Sequence, residues 1–129
     1  MLRKLPKITD FNDWQGKYVL LRTSLNVPVK GGEITDMFRL KQALPTIKYL
    51  SEAGGRVIIL GHIGRDPETS LKSVWTALNQ HHPIVWAEDL LGEVVMEKRN
   101  SLENGEVMML ENVRSEEGEK KMMKSLQKL

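Results

Sequence analysis

Apolar residues fall in two rhythms along the chain. Four short runs rich in β-branched and long aliphatic side chains, Lys17–Arg22, Arg56–Leu60, Pro83–Trp86 and Glu106–Leu110, have the composition of strands. Between them the apolar positions recur every three or four residues, the spacing of a helix with one buried face. After the first strand comes a loop with Pro28 and Gly31-Gly32. A helix then opens near Thr35-Asp36 with Phe38, Leu40, Leu44, Ile47 and Leu50 on one face. Gly54-Gly55 closes it as a left-handed cap. Pro45 lies inside this pattern and predicts a kink, because its ring displaces the carbonyl four residues back.

Farther along, Ser70 is placed to cap a helix over Leu71–His81, and a mostly helical stretch from Glu88 to Arg99 is interrupted by Gly92. Glu119–Leu129 has the pattern of an amphipathic helix, whose Met122, Met123, Leu126 and Leu129 predict packing against the sheet. Strand and helix alternating about four times predict an α/β fold. The expected architecture is a Rossmann-like parallel sheet of about four βα units with helices on both faces.

Composition narrows the function classes. The 129 residues, 40% hydrophobic and 28% charged, suit one globular core. With no cysteine, disulfides, thiol catalysis and cysteine-ligated zinc are excluded together, and a reducing compartment, the cytoplasm, is the expectation. The basic start Met1-Leu2-Arg3-Lys4 is followed by Leu5-Pro6-Lys7 rather than an apolar run, so neither a signal peptide nor a membrane partner is expected. A net charge of +2 and 5% aromatic residues argue against nucleic acid. No metal site is expected: His81 and His82 are adjacent rather than one helical turn apart. Trp14, Trp75 and Trp86 are expected to serve packing rather than stacking on a ligand.

The placement of the basic residues is more telling than their sum. In open parallel sheets ligands bind beyond the carboxyl ends of the strands. The first strand ends in Arg22, the second runs into Gly61-His62-Ile63-Gly64-Arg65, and the fourth into Glu111-Asn112-Val113-Arg114. Arg39 adds a guanidinium in the first turn of a helix, where free backbone N–H groups already favour an anion. Guanidinium groups gathered at one edge suit a phosphate or carboxylate, which they grip bidentately. Gly61 and Gly64 beside His62 suggest a backbone held close to a neighbour.

Four segments in order, Leu21-Arg22-Thr23-Ser24-Leu25-Asn26-Val27-Pro28, Ile34-Thr35-Asp36 leading to Arg39, Gly61-His62-Ile63-Gly64-Arg65 and Leu110-Glu111-Asn112-Val113-Arg114, resemble phosphoglycerate kinase. The resemblance makes residues 1–129 a single partial N-terminal domain, truncated relative to the family's own and without the nucleotide-binding C-terminal domain. It implies binding of 3-phosphoglycerate or 1,3-bisphosphoglycerate by Ser24, Asn26, Arg39, His62, Arg65 and Arg114, with Arg39 nearest the transferred phosphoryl group as the catalytic residue. Arg22 takes at most a supporting place. No cofactor is expected in this chain. Magnesium ATP or ADP would belong to the C-terminal domain, carried by a complementary chain as a candidate partner, and the chain alone is expected to be inactive.

Two departures from the family pattern bear on the site. Ser24 and Leu25 stand where the family has Asp-Phe, leaving a short neutral side chain where a carboxylate would accept the substrate hydroxyl, at a cost of roughly 1 kcal/mol or more. Asp66 stands where Pro is usual and could occupy the Arg65 guanidinium. Ser24, the truncation and the Met122, Met123, Leu126 and Leu129 face of the last helix keep a second reading open, a non-catalytic anion-binding or protein-interaction module derived from the same domain.

Overall fold

The computed structural model describes residues 8–11, 13–63, 69–112, 120–122 and 124. After a 3-10 turn at Ile8–Asp10, the chain forms β1 (Tyr18–Arg22), β2 (Val29–Lys30), β3 (Glu33–Ile34), α1 (Phe38–Glu52), β4 (Arg56–Leu60), α2 (Lys72–Asn79), β5 (Val85–Trp86), α3 (Glu93–Ser101) and β6 (Val107–Met109). Strands β1, β4, β6 and β5 lie in that order in one sheet, every pair parallel. This is the Rossmann-like α/β architecture that the alternation of runs predicts.

The central strands explain themselves by two-sided burial. In β4, Val57 and Ile59 pack in one cluster with Leu40, Leu44 and Ile47 of α1 and Val74 and Leu78 of α2. Ile58 and Leu60 point the other way, into a cluster with Val95 of α3, Met108, Leu110 and Met122. A parallel strand covered on both faces is therefore apolar at every position rather than at alternate ones. Helices α1 and α2 lie on one face, α3 and Met122 on the other. Met123, Leu126 and Leu129, the rest of the expected terminal helix face, lie outside the described residues.

The end of α1 follows a Schellman motif. Gly54 takes φ +85°, the Gly54 amide donates to the Ser51 carbonyl and the Gly55 amide to the Leu50 carbonyl. Those two bonds satisfy carbonyls that the helix end would otherwise strand. At the opposite edge of the sheet from the loops that follow the strands, the guanidinium carbons of Arg99 and Arg56 stand 4.2 and 5.4 Å from the Tyr18 ring centroid. The Tyr18 hydroxyl donates to the Arg99 carbonyl.

Several expectations need correction. Residues 29–34 form an antiparallel hairpin, β2 on β3, instead of a loop. Gly31 and Gly32, at φ +60° and +79°, supply a two-residue turn whose twist matches paired strands. Phe38 is 66% exposed and does not share the buried face of α1. It precedes Leu40 by two residues, about 200° around a helix, which turns it outward. One continuous helix runs through Pro45, which lies on its exposed side. The third helix begins only at Glu93, because Gly92 at φ +111° marks its start and Glu88 at φ +66° breaks the approach to it. Helix α2 and strands β5 and β6 are each shorter at their ends than expected.

Trp75 packs as expected: its indole N–H donates to the Ile84 carbonyl at 2.7 Å, and its ring lies 5.8 Å from that of Trp86. Beyond α2, His82 is half-buried, and burial, then Lys48, lowers its pKa from the ordinary 6.5, with Glu52 offsetting in part. A histidine lowered on folding stabilises the fold above its unfolded pKa, and that contribution is lost as pH falls through the folded one. Urea titrations at pH 7.5 and 5.0 should therefore show a smaller acid loss for His82→Gln than for the wild type. Equal losses would detach His82 from the acid limb. Among the described residues no helix is long and apolar enough to cross a membrane.

Candidate functional site

The carboxyl ends of β1, β4 and β6 carry the chemistry. Beyond β1 the chain keeps an alternating pattern: Leu25 and Val27 are buried, while Ser24 and Asn26 between them are exposed. The apolar pair anchors the loop in the core and the polar pair is presented to solvent as a consequence. Leu25 reaches so close to β4 that a methyl group on Gly61 would lie 2.7 Å from its Cδ1 and 2.8 Å from the Thr23 carbonyl oxygen. Glycine stands there for want of space. The Thr23 amide donates to the Leu60 carbonyl and fastens the same loop from its other end.

Helix α1 delivers the central cation. Asp36 accepts the Phe38 amide through Oδ1 at 2.9 Å and so supplies a partner to one free N–H group of the first turn. Arg39, the second residue of the helix, is exposed, and its Nη1 donates to the Asn26 carbonyl at 3.1 Å. That bond ties helix to loop. Two shallow depressions flank the guanidinium. One, of about 380 Å³, is lined by Arg22, Ser24, Arg39, Gln42 and Thr46 among others. The second, of about 500 Å³, is lined by Asn26, Val27, Pro28, Asp36, Phe38 and Arg39. The positive end of the α1 dipole adds to the attraction for an anion at this place.

The segments after β4 and β6 are bonded to each other. His62 is exposed, directly after Gly61. The Glu111 carboxylate accepts from the Ser70 hydroxyl at 2.7 Å and from the amides of Leu71 at 2.6 Å and Asn112 at 2.8 Å. It thereby caps the start of α2, which has no cap hydrogen bond from its own N-cap residue, Leu71. Ser70 contributes as expected, its Oγ accepting the Lys72 amide. Asn112 is 1% exposed and bonds to Ile63 and Thr69.

The structure thus gathers Ser24, Asn26 and Arg39 around one exposed guanidinium and sets His62 at the end of the neighbouring strand. Neither depression includes His62. Arg65, Asp66 and Arg114 lie outside the described residues. Sequence reasoning passed over Gln42 and Thr46, and it read Glu111 and Asn112 only as part of a motif. For the first two, the helical period that places Arg39 was the available signal, since both lie within two turns of it. Among the described residues no three His, Asp, Glu or Cys side chains converge to hold a metal ion.

Compared with known proteins, residues 8–129 match the family model described as Phosphoglycerate kinase. The chain belongs to the phosphoglycerate kinase family. The phosphoglycerate kinase of Methylorubrum extorquens (strain PA1) is 42% identical over 121 residues, covering 88% of this chain and 30% of that protein. Among solved structures, phosphoglycerate kinase from Pyrococcus horikoshii OT3 superimposes with a TM-score of 0.77 at 36% identity, over 85% of this chain and 28% of that one. The Coxiella burnetii phosphoglycerate kinase gives 0.68 at 33% identity, over 83% and 27%. The chain therefore spans about 30% of the length of the phosphoglycerate kinases it matches.

Proposed function

We propose that this chain supplies the 3-phosphoglycerate-binding surface of a phosphoglycerate kinase, the protein acting in glycolysis in the cytoplasm. The observation that carries the reading is Arg39, held by the Asn26 carbonyl at the start of α1 between two depressions at the sheet's carboxyl edge. A guanidinium fork at a helix N-terminus suits a phosphate or carboxylate oxygen pair. Asn26 and Ser24 offer hydrogen bonds to the glycerate hydroxyl, and the family resemblance adds His62, Arg65 and Arg114 as further contacts to the anion. Arg39 lies nearest the transferred phosphoryl group and balances the charge that develops on its oxygens.

Transfer also requires the nucleotide, magnesium and the closing of a second domain over the substrate. The described residues offer no cluster that would hold the metal. In this reading the surface binds and orients the acceptor.

Calorimetric titration of the polypeptide with 3-phosphoglycerate and with glycerate tests the reading. Weak binding of the phosphorylated compound, loosening several-fold between 50 and 200 mM salt, is the expected result for about three charge contacts. Equal affinity for glycerate, or indifference to salt, would reject it.

A further inference from the structure

The crevice at the carboxyl edge opens where two neighbouring parallel strands send the chain to opposite faces. β4 and β6 are such a pair: the helix after β4 packs with the Val57 and Ile59 side of the sheet, and Met122, beyond β6, with the Ile58 and Leu60 side. One side chain fills the parting. Asn112 Oδ1 accepts the Ile63 amide at 3.0 Å, and Nδ2 donates to the Ile63 carbonyl at 3.1 Å and the Thr69 carbonyl at 2.8 Å. Both hydrogens and the oxygen of the amide are used, at a position 1% exposed. Ile63 follows His62 directly, and Ile63 and Thr69 are the two ends of the span that contains Arg65 in sequence.

We propose that Asn112 is a positioning residue for anion binding: it draws Ile63 and Thr69 to one point and so fixes where His62 stands at the end of β4. It touches no substrate. The proposal rests on the 3-phosphoglycerate reading for its effect on affinity, while the positioning itself is read without ligand. Three features single out an amide. A carboxylate of the same size would turn two donated bonds into contacts between oxygens, and burial beside carbonyls makes such contacts costly. Glu111 cannot substitute, because its oxygens already serve Ser70, Leu71 and the Asn112 amide. Ile63 is itself 2% exposed, so its amide and carbonyl have no ready exchange with water.

Asn112→Asp, compared with the wild type at pH 7.5 and pH 5.0, is the test. The aspartate is desolvated between the Ile63 and Thr69 carbonyls, which raises its pKa. Once protonated it donates one hydrogen bond to a carbonyl and accepts the Ile63 amide, restoring two of the three bonds. Amide exchange at Ile63 should therefore be faster than wild type at pH 7.5 and close to wild type at pH 5.0, with exchange at Leu50 and Ile58 unchanged relative to global stability. The ratio of wild-type to variant affinity for 3-phosphoglycerate should be about tenfold at pH 7.5 and shrink at pH 5.0. Unaltered Ile63 exchange at pH 7.5 overturns the proposal, and so does faster exchange with unaltered affinity. If the wild type binds no 3-phosphoglycerate, the functional reading falls, and the exchange profile alone decides whether Asn112 positions the span.

Discussion

Gly61→Ala is expected to destabilise the fold by about 2–3 kcal/mol, more than any substitution at the exposed site residues. The added methyl would meet Leu25 Cδ1 at 2.7 Å, Leu25 Cγ at 2.8 Å and the Thr23 carbonyl oxygen at 2.8 Å. None of these can step aside cheaply. Leu25 is fully buried, and the Thr23 backbone is stitched to Leu60 by its own amide. Relief must come from moving the loop that carries Ser24 and Asn26, so affinity for 3-phosphoglycerate should fall with stability. Urea denaturation of Gly61→Ala, Leu25→Ala and the double variant checks the cause. The alanine at position 25 removes the obstructing carbons, and the double variant should lose less than the sum of the two single losses. Strict additivity would mean that Leu25 does not set the limit on residue 61.

The second large effect is on binding. Arg39→Ala should weaken 3-phosphoglycerate by about thirtyfold, the worth of a charge-assisted bond of roughly 2 kcal/mol. Arg39→Lys keeps the charge but loses the planar fork, and with it the geometry that grips Asn26 and an anion together, so an intermediate loss is expected. Because the side chain is exposed, denaturation midpoints of both variants should stay near wild type. Calorimetry alongside denaturation separates the two quantities. Wild-type affinity in Arg39→Ala would remove this residue from the site.

Local and periodic features were the legible ones. The apolar run in β4, the glycine pair that ends α1 and the alternation of strand and helix each follow from physics acting over a few residues, and each appears as expected. Arg39 could be read as a candidate because it falls in the first turn of a helix after a strand end, whereas Ser24 and Asn26 came only with the resemblance to the family. Phe38 was misassigned by counting positions without their angle, and the β2–β3 hairpin by taking two glycines as a loop when they also make the tightest strand turn. Glu111 and Asn112 were recognised as part of a motif, yet their work was hidden. Each bonds to residues some forty or more positions away, a relation fixed by the strand order β4-β6 and carried by no local spacing.

The position of β1 has a thermodynamic consequence. Among the described residues this strand has β4 as its one neighbour, with Tyr18 and Leu20 each 36% exposed. It also leads without a break into the loop of Ser24 and Asn26. A free strand edge recruits further backbone, and a strand that is paired on both sides fluctuates less along its length. Ordering β1 from outside therefore lowers the entropy that an anion must remove from the following loop. By reciprocity, an anion held at Arg39 strengthens whatever pairs with β1 by the same factor. Pairing at this edge and the proposed binding of an anion at Arg39 would then be two readings of one linked equilibrium.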